Sequence, residues 1–343
     1  MLGYRGEVAE LVSLDEVRAA ARRLNGVTVR TPLVPFPAAG PARMLIKPES
    51  LQPTGAFKLR GAYNAIASLP AADRRHGVVA HSSGNHGYAV AYAAALLGVS
   101  AAIVVPDNAP PIKTDAILAA GAELIRVRPT LAARIQAARD IANSRDYAPI
   151  PPFDDRRVIA GQGTIGLEVA ADCASHAPAA VLVPVSGGGL ISGIAVAVKA
   201  LMPKTIVIGV EPELAADARE SFRTGTRVAW PASDVARTAA DSLRVEQVGE
   251  LTFPHIQALV DDIVTVTEQE MFAAVARLAT QARLVAEPGG AAAVAAALFR
   301  SPAELGLTGA PDSGPLVTVL SGGNIDPALL ARVLAPETES YNR

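Results

Sequence analysis

The chain has 343 residues, enough for one large domain or two ordinary ones. Half of the residues are hydrophobic and charged ones are sparse, so a large core is expected; a formal net charge of −2 with no basic run argues against nucleic acid as a partner. Cys173 is the only cysteine, which excludes an internal disulfide, and its helical surroundings suit a packed small residue better than a nucleophile.

At the N-terminus, "MLGYRGEVAELVS" lacks the basic and apolar regions of a secretory signal. No apolar stretch is long enough to suggest a membrane span, so a cytoplasmic protein is expected. "SLDEVRAAARRL" opens with Ser13 and Glu16 in capping-box spacing and predicts a helix. "MLIKPES" predicts a strand ahead of the segment "SLQPTGAFKLRGAYNAI" (50–66), which reads as a helix. A regular alternation follows: strand "GVVAHSS", helix "NHGYAVAYAAALLG", strand "AAIVVP", helix "PIKTDAILAAG", strand "AELIRVR", helix "TLAARIQAARDIANS". The Pro-rich, acidic "APIPPFDDRR" (148–157) marks a boundary. A second series comprises helix "GLEVAADCAS", strand "AVLVPV", helix "LISGIAVAVKALM", strand "TIVIGV", helix "EQEMFAAVARLATQARL" and strand "GPLVTVLSGGN". Short apolar runs alternating with helices predict βαβ units, here two doubly wound α/β domains with parallel sheets and a ligand cleft between them.

Lys58 stands out. On a helix, Ala62, Ile66 and Leu69 lie within about 80° of it, while Arg60, Asn64 and Ser68 gather on the opposite side. Arg60 is therefore expected on a polar stripe and Lys58 on an apolar one, where an unpaired ammonium is costly. Three polar glycine loops follow predicted strands. In "VPVSGGGLISG", Ser186, Gly187, Gly188 and Gly189 let backbone N–H groups close on an anion at a helix start, and no Walker lysine follows. "HSSGNHG" places Ser82, Ser83, Gly84, Asn85 and His86 where a carboxylate can be held, the plainer alternative being an ordinary N-cap. "LSGGN" (320–324) is the third. "GQGTIG" (161–166) matches a dinucleotide fingerprint between an apolar run and a helix, but the next strand ends in Ser186 and glycines, with no acid for a ribose. One lysine and three such loops suit pyridoxal phosphate, whose aldehyde would condense with Lys58.

At this point the sequence resembles the fold-type II pyridoxal-phosphate enzymes, in the branch of threonine/serine dehydratases and serine racemases. The segments "SLQPTGAFKLRGA", "HSSGNHG", "VIAGQGTIGLE", "VPVSGGGLISGIA", "DDIVTVTE", "EPGGA" and "LSGGN" carry the resemblance across residues 45–326. It implies that Lys58 bonds the cofactor and takes the substrate Cα proton, that Phe57 flanks the ring and that Asn85 meets the ring hydroxyl. Ser186 to Leu190 would cradle the phosphate, and Ser321 would meet the pyridine nitrogen. Ser82, Ser83, Asn85 and the N–H groups up to His86 would hold the substrate carboxylate. Ser83 is also the residue that racemases use to reprotonate Cα. The resemblance further implies a small domain, 77–153, inserted in a large domain, 1–76 and 154–343, and a homodimer. Glu211, the Ala215 carbonyl and Asp217 have the spacing of a Mg²⁺ or Ca²⁺ site in some members, although the stretch also reads as an acidic helix start.

Some positions depart from the family pattern. Ser186 replaces the first of four glycines, Pro53 stands where ATP-binding racemases have lysine, and Ser242 replaces a glycine near the cofactor. The expected activity is elimination of the β-hydroxyl of threonine, serine or a related small hydroxy amino acid, giving a 2-oxo acid and ammonia. The alternatives are a serine or aspartate racemase with side dehydratase activity, or a dehydratase for hydroxyaspartate or for an amino acid derived from hydroxyectoine, to which the Asp-Ser-Leu wording is similar. A non-catalytic amino-acid-binding regulator on the same fold is disfavoured by the retention of Lys58 with all three loops.

Overall fold

Residues 10–37, 44–82, 84–109, 111–307 and 314–335 are described by a computed structural model, and their strands form two separate sheets. The strands are β1 (Val34–Phe36), β2 (Met44–Pro48), β3 (Val78–His81), β4 (Ala101–Pro106), β5 (Glu123–Val127), β6 (Ala148–Pro149), β7 (Ala180–Pro184), β8 (Ile206–Pro212), β9 (Asp262–Val266) and β10 (Leu316–Leu320). Six of them run in the order β1-β2-β10-β7-β8-β9, and four in the order β5-β4-β3-β6. β1 pairs antiparallel with β2; the other pairings are parallel.

Hydrophobicity explains the order. β7 is apolar along its length, β10 is apolar except for Thr318, and both are buried at every residue, as befits strands covered by helices on both faces. β5, with Glu123 and Arg126 exposed, is an edge. Because β10 pairs with β2, the early and late parts of the chain close one sheet, and β3 to β6 form the other as an excursion between them. The segments that carry β3, β7 and β10 all leave their sheets at the C-terminal end, where doubly wound folds bind ligands. No helix among the described residues is long and apolar enough to cross a membrane.

The capping box at Ser13 and Glu16 forms as expected and starts helix Leu14–Leu24. Two other expectations are corrected. "GQGTIG" does not precede the helix "GLEVAADCAS": it lies wholly inside helix Arg156–Asp172, which begins at its Asp155 N-cap. A Cβ on Gly161 would come within 2.6 Å of the Arg60 carbonyl, and one on Gly163 within 2.8 Å of the Gly193 carbonyl. These glycines let neighbouring helices approach closely and have no part in dinucleotide binding. Arg60 is also not on a polar stripe. It is 1% exposed, and its guanidinium meets Glu49 at 2.7 and 2.9 Å and Glu168 at 2.7 and 3.0 Å. Lys47, fully buried, completes the cluster with a 2.5 Å bond to Glu168. Both faces of helix Lys58–Ala67 are thus buried, one against apolar residues and one against an ionic network. β9 and helix Pro288–Phe299 were not predicted as elements. Cys173 is buried, as expected of a packing residue.

Candidate active site

Lys58 is the first residue of its helix, and the loop before it is clipped to the loop after β10. Phe57 N–H donates to the Ser321 carbonyl at 3.0 Å, Gly323 N–H donates to the Gly55 carbonyl at 2.8 Å, and Ala56 forms a β-bridge with Gly322. These bonds bring Lys58 and the buried Ser321 together from positions far apart in sequence. The Lys58 ammonium donates to the Pro152 carbonyl at 2.7 Å and lies 5.0 Å from the centre of the Phe57 ring. Burial pushes its pKa down to about 8, against the pull of the Glu287 carboxylate.

The next residue after Pro152 reaches the glycine loop. A Cβ on Gly187 would sit 2.3 Å from the Phe153 ring, and Gly188 adopts φ of +90°, a conformation that favours glycine. Thr252 Oγ1 donates to the Gly187 carbonyl at 2.7 Å and pins the turn. Helix Gly189–Leu201 begins there, so its leading N–H groups have no carbonyl one turn earlier. Ser186, which replaces the usual glycine, takes φ of +54° and its hydroxyl approaches the Ser242 carbonyl at 3.5 Å, which places two of the three departures from the family pattern side by side.

From the other sheet, β3 delivers His81 and Ser82, and helix Asn85–Leu96 begins at a Gly84 N-cap without a side-chain capping bond. Just before it, Gly84 N–H donates to Ser82 Oγ at 3.2 Å. Asn85 Nδ2 donates to Glu287 Oε1 at 2.7 Å, and Asn324 Nδ2 donates to Asn85 Oδ1 at 2.8 Å. The His86 ring is buried and its Nε2 donates to the Ile150 carbonyl at 2.8 Å. Burial, then the charge of Lys58, push its pKa down to about 3, so it is neutral and structural. Ser83 lies outside the described residues.

A sequence profile described as "Pyridoxal-phosphate dependent enzyme" matches residues 8–322. The chain belongs to the pyridoxal-phosphate-dependent enzyme family. It is 38% identical to L-threonine ammonia-lyase of Thermotoga maritima over 94% of this chain and 78% of that protein. It is 40% identical to L-threo-3-hydroxyaspartate ammonia-lyase of Saccharomyces cerevisiae over 83% of this chain and 84% of that protein. Among solved structures, maize serine racemase superposes with a TM-score of 0.88 at 34% identity, covering 94% of this chain and 97% of that one. The expected fold class, a fold-type II arrangement of α/β layers, is therefore established.

The residues present fit the cofactor of this family. A glycine-lined helix start suits a phosphate, a half-buried primary amine of depressed pKa suits an aldehyde, and the buried Ser321 ends the central strand. Glu211 and Asp217 form a separate acidic pocket, one strand over, at the end of β8. Both are 1% exposed, and Glu211 Oε1 and both Asp217 carboxylate oxygens are without a hydrogen-bond partner among the described residues. Burial raises the pKa of each, and the Asp217 charge adds to that of Glu211. Residue-by-residue reading missed Glu287, Asn324 and Phe153. Glu287 had a signal: it is the one charged residue between Arg283 and Arg300.

Proposed function

We propose that this enzyme is an ammonia-lyase that removes the β-hydroxyl of threonine, serine or a related small hydroxy amino acid, releasing a 2-oxo acid and ammonia. The observation that carries the reading is the Lys58 amine, half-buried, bonded to the Pro152 carbonyl and, among the described residues, to no carboxylate, with a pKa of about 8. Near neutral pH part of it is unprotonated and able to act as nucleophile and base. Pyridoxal phosphate, when bound, supplies a carbonyl for amino groups and an electron sink that acidifies the substrate Cα. The N–H groups from Ser186 to Leu190 would hold the phosphate, Phe57 would flank the ring, and Asn85 would meet the ring hydroxyl. Ser321 would meet the pyridine nitrogen with an uncharged hydroxyl, which would not enforce its protonation. Ser82, Ser83 and the N–H groups up to His86 hold the substrate carboxylate, and Lys58 Nζ takes the Cα proton.

The names of the threonine and hydroxyaspartate ammonia-lyases support this reaction class. The likeness to maize serine racemase favours a second reading, in which Ser83 reprotonates Cα on the face opposite Lys58. Residues 77–153 act as the inserted small domain, and the enzyme works as a cytoplasmic homodimer. Glu211, Asp217 and the Ala215 carbonyl would hold Mg²⁺ or Ca²⁺; Glu211 Oε1 and both Asp217 carboxylate oxygens, buried and without partners among the described residues, are the hard ligands such ions take.

The test is a panel of L- and D-hydroxy amino acids, assayed for 2-oxo acid and ammonia release with chiral analysis of the remaining serine. Wild type is expected to release both products and to show the near-visible absorbance of bound cofactor, and Lys58→Ala to do neither while still folding. Normal turnover in Lys58→Ala overturns the reading. Serine racemised faster than it is eliminated moves the assignment to the second reading.

A further inference from the structure

Three side chains join the two sheets around the ring-hydroxyl position assigned above. Asn324 Nδ2 donates to the Thr54 carbonyl and to Asn85 Oδ1, both at 2.8 Å. Asn85 Nδ2 donates to Glu287 Oε1 at 2.7 Å. A side-chain amide can be turned over, exchanging donor and acceptor, and here the two ends of the relay decide its direction. The Thr54 carbonyl only accepts, so Asn324 must present its nitrogen there. The same Asn324 nitrogen donates to Asn85, so Asn85 must present its oxygen to Asn324 and is left with its nitrogen for Glu287 Oε1. Turning Asn85 over would set nitrogen against nitrogen and oxygen against carboxylate. The space for the relay is made by glycines: a Cβ on Gly322 would lie 2.6 Å from Glu287 Oε1, and one on Gly55 would lie 2.2 Å from Asn324 Oδ1.

We propose that Glu287 and Asn324 are positioning residues that lock the Asn85 amide so that its remaining N–H, and not its carbonyl, faces the ring hydroxyl of bound pyridoxal phosphate. The proposal rests on the cofactor reading above. An N–H donor favours the ionised ring oxygen, whereas a carbonyl favours the protonated one. The relay therefore sets the protonation state of the bound chromophore, and it does so from both sheets at once, since Asn85 follows β3 while Asn324 follows β10.

The test is a pH titration of the near-visible absorbance of the holoenzyme. Asn324→Asp replaces the donor with an acceptor and is expected to turn Asn85 over. Glu287→Ala removes the acceptor at the other end. In both, the midpoint of the titration is expected to move by about one pH unit or more, with kcat about tenfold lower. Glu287→Gln, which still offers an oxygen, is expected to stay closer to wild type than Glu287→Ala. Asn324 is exposed, so its variant decides the question if Glu287→Ala does not fold. A wild-type band with unchanged midpoints in the folded variants overturns this proposal alone. A wild-type chain that takes up pyridoxal phosphate without a near-visible band overturns the cofactor reading and the proposal with it.

Discussion

Arg60→Met tests whether the ionic network under the Lys58 helix is a neutral unit. The cluster holds two cations, Lys47 and Arg60, and two anions, Glu49 and Glu168, and only Glu168 has appreciable exposure, at 16%. Burial pushes the Glu49 carboxyl up, but the Arg60 guanidinium outweighs it, with help from Lys47 and Thr31, and holds Glu49 below the usual carboxylate range. Removing Arg60 leaves Glu49 fully buried with a surplus negative charge. Breaking a buried pair in this way costs about 3–5 kcal/mol, which for a chain of 343 residues lowers the melting temperature by about 4–7 °C. The double variant Arg60→Met/Glu49→Gln restores neutrality and keeps an oxygen for Thr31 or Gln52, both of which donate to Glu49. It is expected to be more stable than Arg60→Met by about 1–3 kcal/mol. The sign of the pH dependence follows from linkage. In wild type the depressed Glu49 pKa contributes stability that is present above pH 4.5 and lost as pH falls through the folded value. Without Arg60 the burial contribution raises that pKa, so protonation relieves the strain and the deficit relative to wild type shrinks from pH 7 to pH 5. Thermal melts across that range on the two variants measure all three effects. A single-variant cost below about 1 kcal/mol, or a double variant less stable than the single, refutes the neutral-unit argument.

His86 gives a second pH effect. Its pKa falls from 6.5 to about 3 on folding, so its contribution is full above pH 6.5 and declines as the pH drops toward the folded value. By pH 5 wild type is expected to have lost about 2 kcal/mol from this group, at 1.36 kcal/mol per unit. His86→Gln, which can still donate to Ile150 but does not titrate, should show that much less acid sensitivity in apoenzyme melts; equal slopes would contradict the assignment. Chelation is expected to lower the melting temperature, and Mg²⁺ or Ca²⁺ to restore it by mass action. Glu211→Ala should abolish the metal response, and a response that survives in that variant places the ion elsewhere.

Much of the site was legible because its chemistry depends on local sequence. A glycine run after a buried strand can bind an anion whatever surrounds it, and "VPVSGGGLISG" folded as strand, turn and helix start. The acidic "GVEPELAADARE" reads on sequence either as a helix start or, by resemblance, as a metal site, and the fold adds that its carboxylate oxygens are buried and, in part, unpartnered among the described residues. Arg60 was misplaced because helical periodicity assigns faces and does not say what each face meets. The partners Glu49 and Glu168 arrive from other elements, the latter 108 residues away. The dinucleotide reading of "GQGTIG" already fails on sequence, but local pattern starts the helix only at "GLEVAADCAS", because glycines that suit a turn also suit helices in close contact, and only the neighbours at Arg60 and Gly193 distinguish the two.

The sequence by itself determined the alternation of strands and helices, the lysine, the three polar glycine loops and hence the family, because periodicity, turn chemistry and short motifs act over a few residues. Only the tertiary structure decided which loops meet. Pairing β10 with β2 lays Gly322 against Ala56, and that contact places Lys58 beside Ser321 and opens the space in which Glu287, Asn85 and Asn324 hydrogen-bond. These bonds join residues more than 200 positions apart, as in the Asn85–Glu287 separation of 202. Hydrogen-bond direction at that range depends on what the fold sets opposite each amide, and no local pattern carries that information.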